Sequence, residues 1–350
     1  MKQIQASELR EIGTRIFDAL GCPHQESEWV SESLVNSNLR GYDSHGVIRI
    51  AQYVQNLQAG QVKPGATFLI IKETAAMAVV DGQWGWGQVV ARKAMELAIQ
   101  KARANGVGTV VVRNSQHVAR LGEYPALAVS HRMLGMAVIN NGSTQAAEKV
   151  APWGGIDPKL AANPIAWAAP SGHEWPIVVD MTTSVIPEGK VRLANYKGQR
   201  LPEGCFIDAD GNPSTDPKAF YGPPQGALLL LGGGAGHKGF GLNLMTELLG
   251  GCLSGTGCVG ERQEQGSSGL FFQAFNIEDF VPYDKFVDRA LQLESWIKSS
   301  RKARGVDEIL IPGEVAHRKL ERRLRDGIPL DDAVWGEIRR TARELGIDGY

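Results

Sequence analysis

Between Leu39 and Tyr53 the sequence runs Leu-Arg-Gly-Tyr-Asp-Ser-His-Gly-Val-Ile-Arg-Ile-Ala-Gln-Tyr, and two of its side chains suit proton and anion chemistry. The imidazole of His45 precedes the guanidinium of Arg49 by one helical turn, just behind Gly41, Tyr42, Asp43 and Ser44. On a helix that spacing sets both on one face, with Tyr53 a further turn along. The helix is expected to start near Ser44 or His45 and to turn Val47, Ile50, Ala51, Val54 and Leu57 toward a core. The His45/Arg49/Tyr53 face is then left to line a cleft. An imidazole titrates near neutrality, and a planar guanidinium grips a carboxylate through two parallel hydrogen bonds. A proton donor beside such a fork meets the needs of 2-oxo acid reduction.

A second histidine strengthens this pattern. His24, His131, His173 and His317 fall in loops or on polar faces, where a surface position is the plain expectation. His117 instead ends the segment Asn114-Ser115-Gln116-His117, delivered by a valine-rich run from Gly108 to Arg113 that reads as a buried strand. Either His45 or His117 alone is ordinarily a satisfied structural residue; together with Arg49 they form a candidate site.

The glycine run is the other tempting feature. Gly234, Gly236 and Gly239 fit G-x-G-x-x-G, with a short strand at Ala227 to Leu231 before them and a helix at Phe240 to Leu253 after. The remainder of a Rossmann unit is missing, since Ser254-Gly255-Thr256-Gly257 stands where a second strand belongs. Backbone amides and Lys238 at a helix start still suit a phosphate, the alternative being a plain glycine turn. Asp180, closing a strand from Ile177, has two readings: it orients a histidine, or it caps the next helix through Thr182 or Ser184. No His/Cys/Asp/Glu cluster has metal-ligand spacing and no G-x-S-x-G elbow occurs, so neither metal nor serine chemistry is expected.

Around these residues the periodicities predict helices at residues 4–20 and from about Glu26 to Leu39. Strands follow at Thr67 to Lys72 and Ala76 to Val80, then a helix at Val90 to Ala104, the valine strand, a helix at Leu121 to Arg132 and a strand at Met136 to Asn140. This is a βαβ-like rhythm. From Asn141 to Gly226 the chain is rich in Gly, Pro, Asn and Trp, with brief strands at Ile165 to Ala169 and Ile177 to Asp180. Irregular β structure enclosing a ligand is expected there. Leu270 to Phe275 is a strand, and helices at Tyr283 to Arg304, Val315 to Asp326 and Asp331 to Leu345 finish the chain. A length of 350 residues allows two domains or one elaborated one. A net charge of −1 with both signs mixed leaves no nucleic-acid footprint, and the basic stretch Lys298 to Arg325 reads as a solvated helix face. Cys22, Cys205, Cys252 and Cys258 form no C-x-x-C pair, no secretory leader opens the chain, and no apolar run nears the ~20 residues of a membrane span. A soluble cytoplasmic protein is expected.

These pieces resemble the type 2 malate/L-lactate dehydrogenase family, a group that also holds ureidoglycolate dehydrogenases, diketogulonate reductases and cyclic-imine carboxylate reductases. The resemblance rests on Asp43-Ser44-His45-Gly46-Val47 with Arg49 and Tyr53, Asn114-Ser115-Gln116-His117, Ala151-Pro152-Trp153-Gly154-Gly155 and Asn163-Pro164-Ile165-Ala166. It continues through Asp180-Met181-Thr182-Thr183-Ser184, Gly189-Lys190, Gly236-His237-Lys238-Gly239 and Ile311-Pro312-Gly313-Glu314, in family order over nearly the whole chain. The segment Gly204-Cys205-Phe206-Ile207-Asp208 looks most like the hydroxycarboxylate dehydrogenases.

The resemblance implies an α/β (α+β) fold: a non-Rossmann NAD(P)-binding domain with a largely antiparallel sheet at residues 116–295, and a helix-rich catalytic and dimerisation domain at 1–115 with 296–350. It implies a homodimer with its site near the subunit interface, and NAD or NADP as cofactor, NAD being preferred. Ser44, His45, Arg49 and His117 would line the reaction centre. Asp180, Met181, Thr182, Thr183, Ser184, His237, Lys238, Pro312, Gly313 and Glu314 would touch the cofactor. The implied reaction is hydride transfer between NAD(P)H and a small 2-oxo acid, with Arg49 on the carboxylate and His45 or His117, His45 preferred, as the acid. Cyclic imine carboxylate reduction, ureidoglycolate-type oxidation and a non-catalytic cofactor-binding protein are the alternatives. The chain departs from the family at Ala161-Ala162, where Gly-Thr is common, and at Val118-Ala119-Arg120, where small residues and glycine are; this marks Arg120 for substrate choice.

Overall fold

The computed structural model describes residues 2–141, 147–261 and 265–349; the irregular stretch expected after Asn141 therefore includes residues 142–146, which lie outside the described residues. The two ends of the chain build one helical layer. Strand β1 (Lys2–Ile4) pairs antiparallel with β12 (Ile328–Leu330), and helices α1 (Ala6–Ala19), α2 (His24–Leu39), α3 (Ile50–Gln58), α10 (Glu314–Asp326) and α11 (Asp332–Glu344) gather beside them. The α1 stripe of Leu9, Ile12, Ile16 and Phe17 is fully buried, as its helical spacing predicts, and packs in one core with Leu34, Ile50, Tyr53, Trp86, Trp335 and Ile338.

The second layer is a seven-stranded sheet. Its order is β2 (Leu69–Glu73), β3 (Met77–Asp81), β4 (Val107–Ser115), β11 (Ser268–Asn276), β5 (Met133–Asn140), β6 (Ile165–Ala169) and β7 (Ile177–Met181). Every pairing is antiparallel except β3 with β4, which are joined by the crossover helix α4 (Gly87–Asn105). The βαβ rhythm therefore yields one parallel pair, and β11, arriving late in sequence, inserts between β4 and β5. A boundary at residue 115/116 passes through this sheet, so the two expected halves share one hydrogen-bonded layer. Small residues on α4 (Ala91, Ala94, Ala98 and Ala102) are fully buried and let the helix lie close on the strands.

A third, smaller unit answers the region where irregular β structure was expected. Strands β8 (Phe206–Ile207), β9 (Pro213–Ser214) and β10 (Ala227–Leu228) form a three-stranded sheet with helices α6 (Glu188–Tyr196) and α7 (Pro217–Tyr221) against it. Phe206, Phe220, Val191 and Leu228 make its core. The remaining helices are α5 (Glu123–Val129), α8 (His237–Thr246), which runs on into a π-helical turn at Glu247–Cys252, and α9 (Tyr283–Lys298). None of the described helices is long and apolar enough to cross a membrane.

The helix expected from Ser44 or His45 starts later. Asp43–His45 and Val47–Arg49 are single 3-10 turns, divided at Gly46 by extended backbone (φ −94°, ψ −153°), and only Ile50 begins the α-helix. The cause is the buried side chain of Asn38, which occupies the space beside Gly46: a Cβ there would lie 2.0 Å from Asn38 Oδ1. That same oxygen accepts the Val47 backbone N–H (2.8 Å), while Asn38 Nδ2 donates to Asp43 Oδ1 (2.7 Å). Arg323 of α10, itself buried, closes the network with Nη1 on Asp43 Oδ1 (2.6 Å), Nη2 on Asp43 Oδ2 (3.1 Å) and a further bond to the Asn38 carbonyl. Through Arg323, helix α10 thus holds the 43–49 segment in place. Replacing it (Arg323→Met) orphans these acceptors and should lower stability by roughly 1–3 kcal/mol. A urea midpoint identical to that of the parent protein would show that the network holds nothing.

Candidate active site

A cleft of about 910 Å³ opens where the three units meet. One wall comes from the 3-10 turns (Tyr42, Asp43, Ser44, His45), one from the loop after β4 (His117 to Leu121), one from β7 (Val178 to Met181) with Pro312 and Gly313, and one from α6 (Gly189, Lys190, Leu193). Its size is that of a cofactor-binding pocket.

His45 and His117, far apart in sequence, stack here with ring centroids 5.7 Å apart and planes 20° from parallel. Gly87 makes the approach of the β4 loop possible, because a Cβ at that position would sit 2.3 Å from the carbonyl oxygens of both Gln116 and His117. The hydrogen bonds around His117 fix its tautomer. Gln88 Nε2 donates to Tyr53 Oη (2.9 Å), which leaves the phenol hydrogen to be given to His117 Nδ1 (2.7 Å). With Nδ1 accepting, the ring carries its proton on Nε2. His45 has Ser44 Oγ at 2.9 Å from its Nδ1, and the Ser44 carbonyl accepts Arg49 Nε–H at 2.7 Å.

Electrostatics keep both rings uncharged. Burial, then the charges of Arg49, Arg120 and Arg192, lower the pKa of His45 from 6.5 to about 4. Burial, Arg49 and His45 hold His117 well below its ordinary value. Near neutral pH the site therefore presents one imidazole able to take a proton at His45 and one Nε2–H donor at His117. An anion arriving beside His45 moves its pKa upward again, since negative charge favours the imidazolium.

Several expectations need correction. Tyr53 does not line the cleft: its ring is buried against Trp86 in the core that also holds Phe17, and its hydroxyl reaches the site through His117. Because the helix is interrupted at Gly46, Arg49 shares no continuous α-helical face with His45. Its fork is also not free, with Nε on the Ser44 carbonyl and Nη1 on Gln52 Oε1 (2.6 Å), and it is not part of the cleft lining. Asp180 neither orients a histidine nor caps the segment after it. Its Oδ2 accepts the N–H of Gly122 (2.8 Å), where α5 begins, and lies 3.9 Å from Arg120 Nη1; burial raises its pKa despite that charge.

The residues assigned to the cofactor divide in two. Asp180, Met181, Thr182, Ser184, Pro312 and Gly313 line the cleft. Thr183 is buried behind it, bonded to the carbonyls of Ala162 and Asn163, and Glu314 turns away to Lys298 (2.9 Å) and Arg318. His237 and Lys238 are exposed at the start of α8, where His237 packs edge-on against Trp153 at 5.9 Å. Neither lines the cleft; Leu231, which precedes the glycine run, does, and its N–H bonds to Thr183 O. The glycine run follows β10, a strand of the small antiparallel sheet.

Sequence reasoning missed Gln88, which carries no motif and sits one residue inside α4. It also missed Glu247, which accepts Asn140 Nδ2 (2.6 Å) and Asn163 Nδ2 (2.5 Å) from the start of a π-helical turn and so fixes the floor where Asn141 and Pro164 line the cleft. Among the described residues no group of three or more potential metal ligands occurs.

Comparison with known proteins places this geometry in a family. A family model described as malate/L-lactate dehydrogenase matches residues 4–339. A malate dehydrogenase of Pyrococcus abyssi is 38% identical over 355 residues, covering 99% of this chain and 96% of the relative. Hydroxycarboxylate dehydrogenase B of Escherichia coli O157:H7 is 33% identical over 350 residues, covering 99% and 95%. The solved malate dehydrogenase of Pyrococcus horikoshii OT3 superposes with a TM-score of 0.90 at 35% identity, over 100% of this chain and 97% of that one. The chain belongs to the malate/L-lactate dehydrogenase family.

The desolvated, cation-flanked setting of His45 has a direct readout. In an NMR titration its ring protons should shift with a midpoint of about 4 rather than 6.5. A midpoint at the ordinary value would mean that the ring is solvated and the neighbouring charges screened.

Proposed function

We propose that the protein interconverts a small 2-hydroxy acid and its 2-oxo acid at this cleft, in partnership with NAD or NADP. Family membership supports a hydroxy acid dehydrogenase, and the stacked His45/His117 pair with one fixed tautomer is the observation that carries the assignment. The lining residues fit an elongated ligand: β7 and the Pro312-Gly313 turn offer backbone and small polar groups along one wall, and the imidazoles stand at the other. When bound, the nicotinamide ring supplies or accepts the hydride.

The protein's own share is one proton and the placement of one carbon. In the oxidative direction neutral His45 takes the hydroxyl proton as general base, and His117 Nε2–H hydrogen-bonds the same oxygen as it becomes a carbonyl. In reduction His45 returns the proton, its imidazolium favoured by the substrate carboxylate beside it. Arg49 takes the C1 carboxylate when Nη1 exchanges Gln52, an exposed side chain, for the substrate; Ser44 holds the His45 ring through Nδ1. Asp180, Met181, Thr182, Ser184, Pro312 and Gly313 seat the cofactor, with Thr183 and Glu314 shaping that wall from behind; His237 and Lys238, outside the cleft, would meet only a part of the cofactor that extends beyond it. This mode of binding is non-Rossmann.

Residues 1–115 with 296–350 supply most of the substrate side and residues 116–295 most of the cofactor side, as functional halves spanned by one sheet. A homodimer is supported by the exposed side chains of Leu244 and Met245 on α8, Leu248 on the π-helical turn and Leu253 just after it. The free state of all four cysteines suits the reducing cytoplasm.

Titration with NAD and NADP in turn, followed by a panel of 2-hydroxy and 2-oxo acids and a cyclic imine carboxylate, tests the assignment; binding of cofactor without turnover of any of them would remove it. His45→Ala should cut turnover by ~100-fold or more while cofactor affinity stays near that of the parent. Arg49→Lys should act chiefly on the KM for the acid, because an ammonium cannot reproduce the fork. An unaltered KM would take the C1 carboxylate away from Arg49.

A further inference from the structure

Arg120 is a buried charge with few acceptors. Its side chain is only 5% exposed, it lines the cleft three residues after His117, and its Nε is buried with no hydrogen-bond partner. Among the described residues it makes one ion pair, to Asp180 Oδ2 at 3.9 Å, beyond hydrogen-bond reach, while that oxygen accepts the Gly122 N–H. The face of Tyr42, 5.3 Å away, adds a cation–π contact but accepts no hydrogen bond along the fork.

A guanidinium has five N–H donors, and removing them from water without acceptors is strongly unfavourable. Its neighbours add to the imbalance. Arg40 lines the same wall and is close enough for its own pKa to be lowered by Arg120, after the effect of burial, and Lys319 stands beside Gly41 on that side. The positive charge is therefore gathered at the edge of the reaction centre, on the loop that carries His117, and it is separate from Arg49, which reaches back to Ser44 and Gln52.

We propose that Arg120, with Arg40 behind it, receives a second anionic group on the substrate, so that the site selects 2-hydroxy acids bearing a carboxylate or sulfonate at the far end over simple monoacids. This rests on the 2-hydroxy acid reading above and sharpens it. Arg49 holds the carboxylate next to the reacting carbon, and Arg120 reads what lies beyond that carbon. The distal anion supplies acceptors to the outer nitrogens of the Arg120 fork, whose side chain is only 5% exposed, and there a charge-assisted pair discriminates strongly. A monoacid leaves the guanidinium as unsatisfied as it is in the free protein, which is the source of the preference.

The test compares L-malate with L-lactate under saturating cofactor. In the parent enzyme kcat/KM should favour L-malate. In Arg120→Met the ratio of the two values should fall by about 30- to 100-fold, through KM for L-malate. Arg120→Lys, which keeps the charge but loses the fork, should fall between the two and guards against a methionine variant that does not fold. An equal loss for both acids would assign Arg120 to the C1 carboxylate or to structure, and a raised KM for the cofactor would assign it to cofactor phosphate; either overturns the proposal. Calorimetric binding of tartronate and glycolate, a diacid and a monoacid, separates this inference from the reaction itself. If no acid turns over yet tartronate binds more tightly than glycolate and loses that advantage in Arg120→Met, the dehydrogenase reading fails and the anion site stands. Equal binding of the two acids by the parent protein removes the anion site.

Discussion

The site depends on a hydrogen-bonded knot among Asn38, Asp43 and Arg323. Its members come from the end of α2, the first 3-10 turn and α10, so two ends of the chain must be folded together before it can form. The knot fixes why the backbone breaks at Gly46: Asn38 Oδ1 fills the position of a side chain and captures the Val47 N–H that a continuous helix would have left unpaired. With that break, His45 turns into the cleft while Val47 and Ile50 remain in the core. An uninterrupted helix from Ser44 would tie the direction of His45 to the core-facing stripe, and its ring could not be set independently against His117.

A second constraint follows from how the cleft is surrounded. Arg49, Arg120 and Arg192 all lower the proton affinity of His45, and they come from three different parts of the fold, the 3-10 turns, the β4 loop and α6. The carboxylates of the cleft lining are themselves engaged, Asp43 by Arg323 and Asp180 by facing Arg120. An anion bound beside His45 raises the basicity of that imidazole, so binding and protonation are coupled. His117 is kept out of this exchange by Tyr53 and Gln88, which commit its Nδ1 as an acceptor. The two histidines are thereby set differently by their neighbours, His45 by charge and His117 by hydrogen-bond direction.

Much of this could be seen in the sequence, and the limits are physical. The stripe of α1, the valine strand β4 and the boundaries of β6 follow from local periodicity, which is set by side-chain burial on one face. The Ser44/His45 and His117 pairing was legible because reactive side chains stood at the ends of confidently periodic elements. The 3-10 turns were not, because their cause is Asn38 and Arg323, a contact between residues remote in sequence. Tyr53 was assigned to a polar face because a phenol can serve either environment; its ring is core and its hydroxyl is site. Gln88 and Glu247 had no chance of recognition, since a single amide or carboxylate inside a helix has the same local pattern whether it faces water or a buried partner.

The glycine run is a motif with more apparent meaning than its surroundings support, as the missing second strand already indicates in the sequence. Its spacing imitates a dinucleotide fingerprint, yet the strand before it belongs to a small antiparallel sheet, and the helix after it starts outside the cleft. What makes such a loop bind phosphate in a parallel sheet is the crevice at the strand ends, with the helix start aimed into it. Here the crevice is made elsewhere, by β7, the Pro312-Gly313 turn and the β4 loop, whose last strand residues stand at the rim of a sheet that is antiparallel everywhere but at one pair. Arg120 sits in that loop as β4 ends and α5 begins, so its position is fixed by backbone on both sides while its donors remain open. A charge held that firmly, with so few acceptors, is placed for a ligand rather than for the fold.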